Sequence, residues 1–541
     1  MKKFVFLILT TILLNGFNQT FAQQSRETFG KNRFQYRPFK WEYLSGENFD
    51  VYYYDERKGN ASETLEYLEG EFDRITDLIG FPPYFKTKVF IYNSLSDLRQ
   101  SNVGLNRASM QVGGETEFIR PYVEVAYTGT SSSFKEELLF KIAELLVNEM
   151  MYGGNLKDAF QNAFLLNLPE WFVQGAIHYA AKGWSPEMDD YARELVMTKK
   201  PSRFSRLAGK EAALAGQSFW NYIAERYGKS SIHNVLNYTR VTRNEEKSLQ
   251  ITLGVNYKRL LIDWENYYKQ MATQVNESYL NPDKKNLLTK KTDQTISYTA
   301  AKISPDGRYL AFSKNDRGSF VVIIKSLETG KEKTILRGGT KVISQEVDYS
   351  IPLISWADAN NLGVIGQKKG EYWFWLYDLS TNSKLPRPLE KFNNIRSISF
   401  SNNGRLAVLS ADYEGKNDLF LLSTRRDRTR RLTNDSFDDL DPSFIPGTNK
   451  IVFASNRNSD TLQTGKKVPL NALTHYSNLY IYDLDSTKNL LKRVTNTLSH
   501  DFAPKAVNQD LFYYLSDQRG IVNLFKYSLS NGIYTQVTNY R

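Results

Sequence analysis

Ile303-Ser304-Pro305-Asp306-Gly307-Arg308-Tyr309-Leu310-Ala311-Phe312 is the stretch on which the fold turns, because it occurs more than once. It is echoed by Ile354-Ser355-Trp356-Ala357-Asp358-Ala359-Asn360 and by Ile398-Ser399-Phe400-Ser401-Asn402-Asn403-Gly404-Arg405-Leu406-Ala407-Val408. Weaker copies run from Ser443 to Phe453 and from Lys505 to Tyr514. A second landmark, a strand with a turn after it, falls at Ser326, Asp378, Ser423, Asp483 and Ser528, with spacings of 52, 45, 60 and 45 residues. The long interval holds an insertion at about 458–476, and a closing Leu/Val-Thr pair returns at Leu432-Thr433, Val494-Thr495 and Val537-Thr538. Four short strands per roughly 45 residues, repeated, are the signature of a β-propeller. Five repeats follow an opening half-strand at Leu288-Thr289. Either the ring has five blades or a sixth lies beyond Arg541, and the second is expected.

Upstream the pattern changes. Phe49 to Tyr54, Lys88 to Tyr92 and Tyr122 to Tyr127 read as strands. Residues 60–79 read as a helix, with Leu65, Leu68, Phe72, Ile75 and Leu78 at helical spacing and Gly80 as its stop. After the N-cap cluster Ser131-Ser132-Ser133, a long helix is predicted from about Phe134 to Met151, and the chain stays helical to about Met271. Strands first and helices after predict an α+β domain over 41–273 with an antiparallel-type sheet. A linker at 274–293 then leads to the propeller at 294–541.

The chain opens Met1-Lys2-Lys3, then an apolar run from Phe4 to Leu14 and the small-residue end Thr20-Phe21-Ala22. Residues 1–22 thus read as a secretory signal peptide cleaved after Ala22, too short in its apolar part to span a bilayer. The polar residues 23–40 read as a flexible leader. No later run approaches the roughly 18 apolar residues of a membrane helix. With no cysteine, neither disulfides nor a lipid-bearing Cys is available, so stability rests on cores that 41% apolar content permits. The net charge of +11 is spread among 59 acids, and with export it argues against a nucleic-acid partner. Arg425-Arg426-Asp427-Arg428-Thr429-Arg430-Arg431 is the densest basic cluster. Its default reading is a solvated inter-strand loop; the sharper one is a peripheral contact for an anionic surface such as lipid headgroups or glycan. Asp435, Asp438, Asp439 and Asp441 follow and are expected to neutralise it internally.

One helix carries the chemistry by default. A zinc-peptidase helix H-E-x-x-H sets two imidazoles on one face around a general base. In Phe134 to Met150 those positions fall on Ala143, Glu144 and Val147. The later W-F-x-E-G motif, whose Glu is the third ligand, reads Trp171-Phe172-Val173-Gln174-Gly175. Only Glu144 keeps its residue type. These residues, with Leu168-Pro169-Glu170, Gly216-Gln217-Ser218-Phe219 and the Gly254 to Trp264 ending, resemble the gluzincin peptidase-MA-like family over about 40–270. The Ser-Pro-Asp-Gly-Arg-Tyr-Leu-Ala-Phe string resembles the WD40-like repeats of TolB-type propellers, as do the Ser313 to Arg317, Ser455 to Arg457 and Ser516 to Arg519 turns. The two resemblances together imply a Bacteroidota-type envelope protein in outer-membrane assembly or secretion, periplasmic or outer-membrane-associated.

With all three zinc ligands absent, no catalytic, metal or cofactor residue is assigned. The expectation is a pseudo-metallopeptidase that serves as a scaffold for envelope protein partners. A makeshift site of His178 with Glu144 and Glu149 is the minor alternative, since His178 lies four residues after Gln174. His233, His475 and His500 are scattered, and the pairs Asp189-Asp190 and Asp438-Asp439 read as solvated. Neither a G-x-S-x-G elbow nor a G-x-x-x-x-G-K-[ST] loop occurs. The runners-up are a glycan- or peptide-binding module using the vacated cleft, with Glu144 and Gln174 as contacts, and an active hydrolase through an unrecognised site.

Overall fold

The computed structural model describes residues 37–101, 122–153, 168–198, 206–281, 295–341, 347–462 and 468–540, together with 35, 103, 204 and 283. The expected signal peptide, its cleavage site, most of the leader and the half-strand Leu288-Thr289 lie outside these residues.

The N-terminal part is a four-stranded sheet, β1 (Glu42–Ser45), β2 (Phe49–Tyr53), β3 (Thr87–Tyr92) and β4 (Tyr122–Ala126), in that order across the sheet. Only β1–β2 is antiparallel; β2–β3 and β3–β4 are parallel. The expected antiparallel sheet is therefore corrected, and the cause is α1 (Lys58–Ile79). A helix laid between two strands returns the chain to its starting end, which makes their pairing parallel. Ala61, Leu68, Ile75 and Ile79 bury one face of α1, and Gly80 ends it at φ 77°, its N–H bonded to the Thr76 carbonyl. Between β3 and β4 comes α2 (Leu95–Gln100), packed with Tyr54, Phe90 and Tyr92 apart from the main core; after β4 come α3 (Ser131–Tyr152), α4 (Glu170–Lys182), α5 (Pro186–Thr198), α6 (Gly209–Tyr227), α7 (Ser230–Thr242), α8 (Glu245–Leu253) and α9 (Tyr257–Ser278). The end of the expected leader is not loose. Arg37 pairs with Asp55 at 2.8 Å and Asp97 at 2.6 Å, and Phe39 packs among Trp41, Tyr54 and Tyr92.

The C-terminal part is a propeller of five four-stranded antiparallel blades, spanning 296–338, 353–388, 394–431, 439–493 and 501–536. There is one blade per repeat, and the expected sixth concerns sequence beyond Arg541. The third strands end at Ser326, Asp378, Ser423, Asp483 and Ser528, the residues that set the beat in the sequence. Middle strands face a neighbouring blade on each side and bury both faces, as in Ala407-Val408-Leu409 and Ile451-Val452-Phe453, which explains why they read as apolar runs without alternation. The closing pairs share one role in three blades. The Thr433, Thr495 and Thr538 hydroxyls accept the N–H of Leu419, Leu479 and Leu524, each at 2.9 Å, and fasten the outer edge to the third strand.

Both ends of the propeller are defined by these turns. Those joining second to third strands face the N-terminal part: Asn60 Nδ2 donates to the Gly415 carbonyl, and Gly370 lies against Ser96. In blade four this connection is the long insertion. Turns joining first to second strands, such as Ser304 to Arg308, lie at the opposite end.

Candidate functional site

Of the three positions that the resemblance would give to zinc ligands, Ala143 and Val147 lie on α3 and Gln174 on α4, two helices packed against each other. Ala143 and Val147 are fully buried in the apolar core of the N-terminal part, alongside Ile142, Leu146 and Met150. Unmetallated imidazoles there would be buried polar groups without partners, a cost that Ala and Val avoid. Gln174 is half-buried on α4. Glu144 turns to the outer face, half-exposed and 3.5 Å from Lys141. Helices α4 and α6 meet backbone to backbone: a Cβ on Gly216 would overlap the Trp171 carbonyl, and one on Gly175 would overlap the Gly216 main chain. Gly175 and Gly216 thus have a packing role in holding α4 against α6.

His178 and Glu144 are near enough for the carboxylate to support the imidazolium, yet burial dominates and pushes the His178 pKa down. The imidazole packs on the Phe140 ring at 4.7 Å. Glu149 does not join them; it is buried elsewhere and accepts from the Tyr84 N–H at 3.4 Å. The makeshift trio is not assembled. His500 Nδ1 meets the Ser477 hydroxyl at 2.7 Å, inside the propeller. Asp189 accepts from the Trp184 indole at 2.7 Å and Asp190 pairs with Arg193, so these acids are bonded side chains.

A second constellation was not read from the sequence: the junction between the N-terminal part and the propeller. Asp438, at the start of blade four, accepts the Ser131 N–H at 2.9 Å and its hydroxyl at 2.5 Å. A carboxylate there meets the first turn of α3, where free N–H groups and the helix dipole favour negative charge. The α3 N-cap is Thr130, one residue before the predicted serine cluster. Buried Lys135 donates from Nζ to the Leu470 and Leu473 carbonyls at 3.1 Å each. Asn394 Nδ2 reaches the Asn93 and Tyr127 carbonyls at 3.0 and 3.1 Å, and Arg57 lies 3.6 Å from Asp412. Phe437, Val468, Leu470 and Leu473 of the propeller belong to the same apolar core as α1 and α3.

Behind this junction lies a buried ionic centre. Arg457, wholly shielded, bonds Asp439 at 2.6 and 2.9 Å and Asp435 at 3.1 Å, between the rings of Phe437, Phe453 and Tyr480. Arg431 bonds Asp418. Among the described residues Asp418, Asp435 and Asp439 form the one group of three acids close enough to share a cation. Arg457 and Arg431 already hold these carboxylates, as expected of charges taken out of water. Burial pushes Asp418 up to about 7 against the pull of Arg431, and Asp438 up to about 6 against its Ser131 bonds. The expectation that Asp435, Asp438 and Asp439 neutralise the Arg425–Arg431 cluster is thereby corrected. They serve Arg457 and the α3 terminus, and among the described residues Arg431 is the one member of that cluster in an ion pair.

Two cavities open at the junction. One of ≈ 40 Å³ is lined by Thr64, Ser131, Asn417 and Asp438, and the buried Asn417 Nδ2 has no partner. The other, ≈ 260 Å³, is lined by Leu95, Thr128, Asp348, Tyr349, Tyr372 and Arg396.

No family model matches the sequence, and no curated protein does. Among solved structures the chain is similar to TolB from Acinetobacter baumannii, at 17% identity and a TM-score of 0.32, over 45% of this chain and 52% of that one. It is similar to a putative TolB from Agrobacterium tumefaciens, at 17% identity and 0.34, over 44% and 80%. The β-propeller domain of the Trilobed protease from Pyrococcus furiosus matches at 16% identity and 0.32, over 45% and 70%. The chain thus spans about half the length of the first of these. Matches this distant add nothing to the propeller that the five sheets already establish.

Proposed function

We propose that this protein is a non-catalytic scaffold of the cell envelope, in which a degenerate peptidase-like head and a five-bladed propeller bind protein partners of the outer-membrane assembly or secretion machinery. The observation that carries the reading is the complete burial of Ala143 and Val147, where a zinc helix would present imidazoles. The head's lock onto the propeller supports it: two parts joined through a common core offer one rigid surface, which favours binding by reducing the ordering cost. The test combines metal analysis and a peptidase assay on purified protein with affinity purification from the native envelope. Less than one zinc per ten chains, no chelator-sensitive cleavage and a stable protein partner are expected. Stoichiometric zinc with cleavage that a chelator abolishes would overturn the reading.

The runner-up, a glycan- or peptide-binding module, is better served by the ≈ 260 Å³ junction cavity, where Asp348 and Arg396 offer opposite charges, than by the former cleft, where Glu144 is tied to Lys141. Glycan-array binding without a protein partner would favour it.

A further inference from the structure

We propose that the blade-three edge of the propeller end opposite the head is a contact surface for an anionic lipid bilayer, carried by Arg405, Arg425, Arg426, Arg428 and Arg430. The topology of blade three places these residues. Its turn from second to third strand, around Gly415, touches the head through Asn60. The third strand (Lys416–Ser423) runs away from that contact, so the hairpin beginning at Ser423 lies at the far end. Arg405 sits in the first-to-second-strand turn at the same end, where its carbonyl accepts the Thr424 N–H and hydroxyl, both at 3.1 Å.

All five arginines are exposed, and among the described residues none forms an ion pair. Asp427 is the lone acid between Ser423 and Arg431. The loop is also held in shape: Arg387 Nη1 donates to the Ser423 and Arg426 carbonyls at 2.9 and 2.6 Å. Charges left unpaired on a braced turn favour a partner that brings many anions, and guanidinium forks match phosphate oxygens.

The chemistry selects the class of partner. A protein interface would set apolar anchors at the centre of the patch, and a single-stranded nucleic-acid groove would interleave aromatic rings to stack on bases. From Ser423 to Arg431 the hairpin has neither. A hydrated turn with four exposed arginines to one acid suits the headgroup plane of a bilayer, where each basic residue contributes about a fivefold gain in partition. This contact is independent of what the head binds.

The test is co-sedimentation of the full chain with vesicles of phosphatidylcholine alone or with about 30% phosphatidylglycerol. Binding is expected only to the anionic vesicles, with release at about 0.5 M salt. The variant Arg425→Gln/Arg426→Gln/Arg428→Gln/Arg430→Gln should bind at least a hundredfold more weakly, by that per-residue factor. The equally charged control Lys210→Gln/Lys229→Gln/Lys247→Gln/Lys258→Gln, on the head, should bind like the wild type. Equal binding to neutral vesicles, or equal losses in the two variants, would overturn the proposal. So would arginine-dependent retardation of DNA or RNA without any preference for anionic vesicles.

Discussion

Asp438 shows how one side chain joins two folded parts. It gives up hydration to reach the first turn of α3, and burial is the larger influence on its proton affinity. Asp438→Ala should lower stability by about 1–3 kcal/mol at neutral pH, the range for a buried hydrogen-bonded partner left unsatisfied, read from urea midpoints. The pH dependence has a definite sign. With the folded-state value near 6 and an ordinary carboxyl near 3.8, the native protein holds the extra proton between them. The proton-linked part of this group's contribution is therefore complete below pH 4 and fades as the pH rises through 6, so that at neutral pH what Asp438→Ala removes is the bonds to Ser131. Asp438→Asn should flatten the stability profile over that window while other parts of the curve stay in place. A profile with the wild-type slope would refute the assignment. The sequence put Asp438 in a solvated pair because its partner, Ser131, is 307 positions away and no periodicity links them.

Among elements, α4 and α6 are the most demanding pair, since Gly175 and Gly216 bring their main chains into contact. Gly216→Ala should cost about 3 kcal/mol or more, the upper range for overpacking, because a carbonyl cannot move aside as a side chain can. Chemical denaturation of the variant would decide this, and a change below about 1 kcal/mol would mean the helices part easily. Ala143→His should also destabilise, by about 1–3 kcal/mol, and adding zinc should not restore the lost stability. Helices were legible because their apolar stripes are long: α3 lies close to its predicted span, although α9 runs on to Ser278, past the expected helical limit near Met271 and into the expected linker. The sheet of the head was not. Strand existence shows in Phe49 to Tyr53, but pairing direction depends on α1 packing as a crossover, and no local pattern carries that.

At the scale of the whole molecule, five blades were legible in the third-strand landmarks, which return once per blade. The union of head and propeller was not, because the blade-four insertion that gives it Leu470 and Leu473 has no counterpart in the other repeats. Leu470→Ala or Leu473→Ala should destabilise the protein by about 2–4 kcal/mol, although both residues lie in the propeller sequence. Amide exchange should rise in α1 and α3 of the head, and a rise confined to blade four would show that the two cores are separate.

The reach of that insertion constrains how the protein comes into being. Leu470, which helps complete the packing around Lys135, is made 335 residues after it. A ribosome therefore delivers the head long before the apolar plug that packs on it. Until the fourth blade emerges, the apolar ground that Leu470 and Leu473 cover on the newborn N-terminal half stays open to solvent.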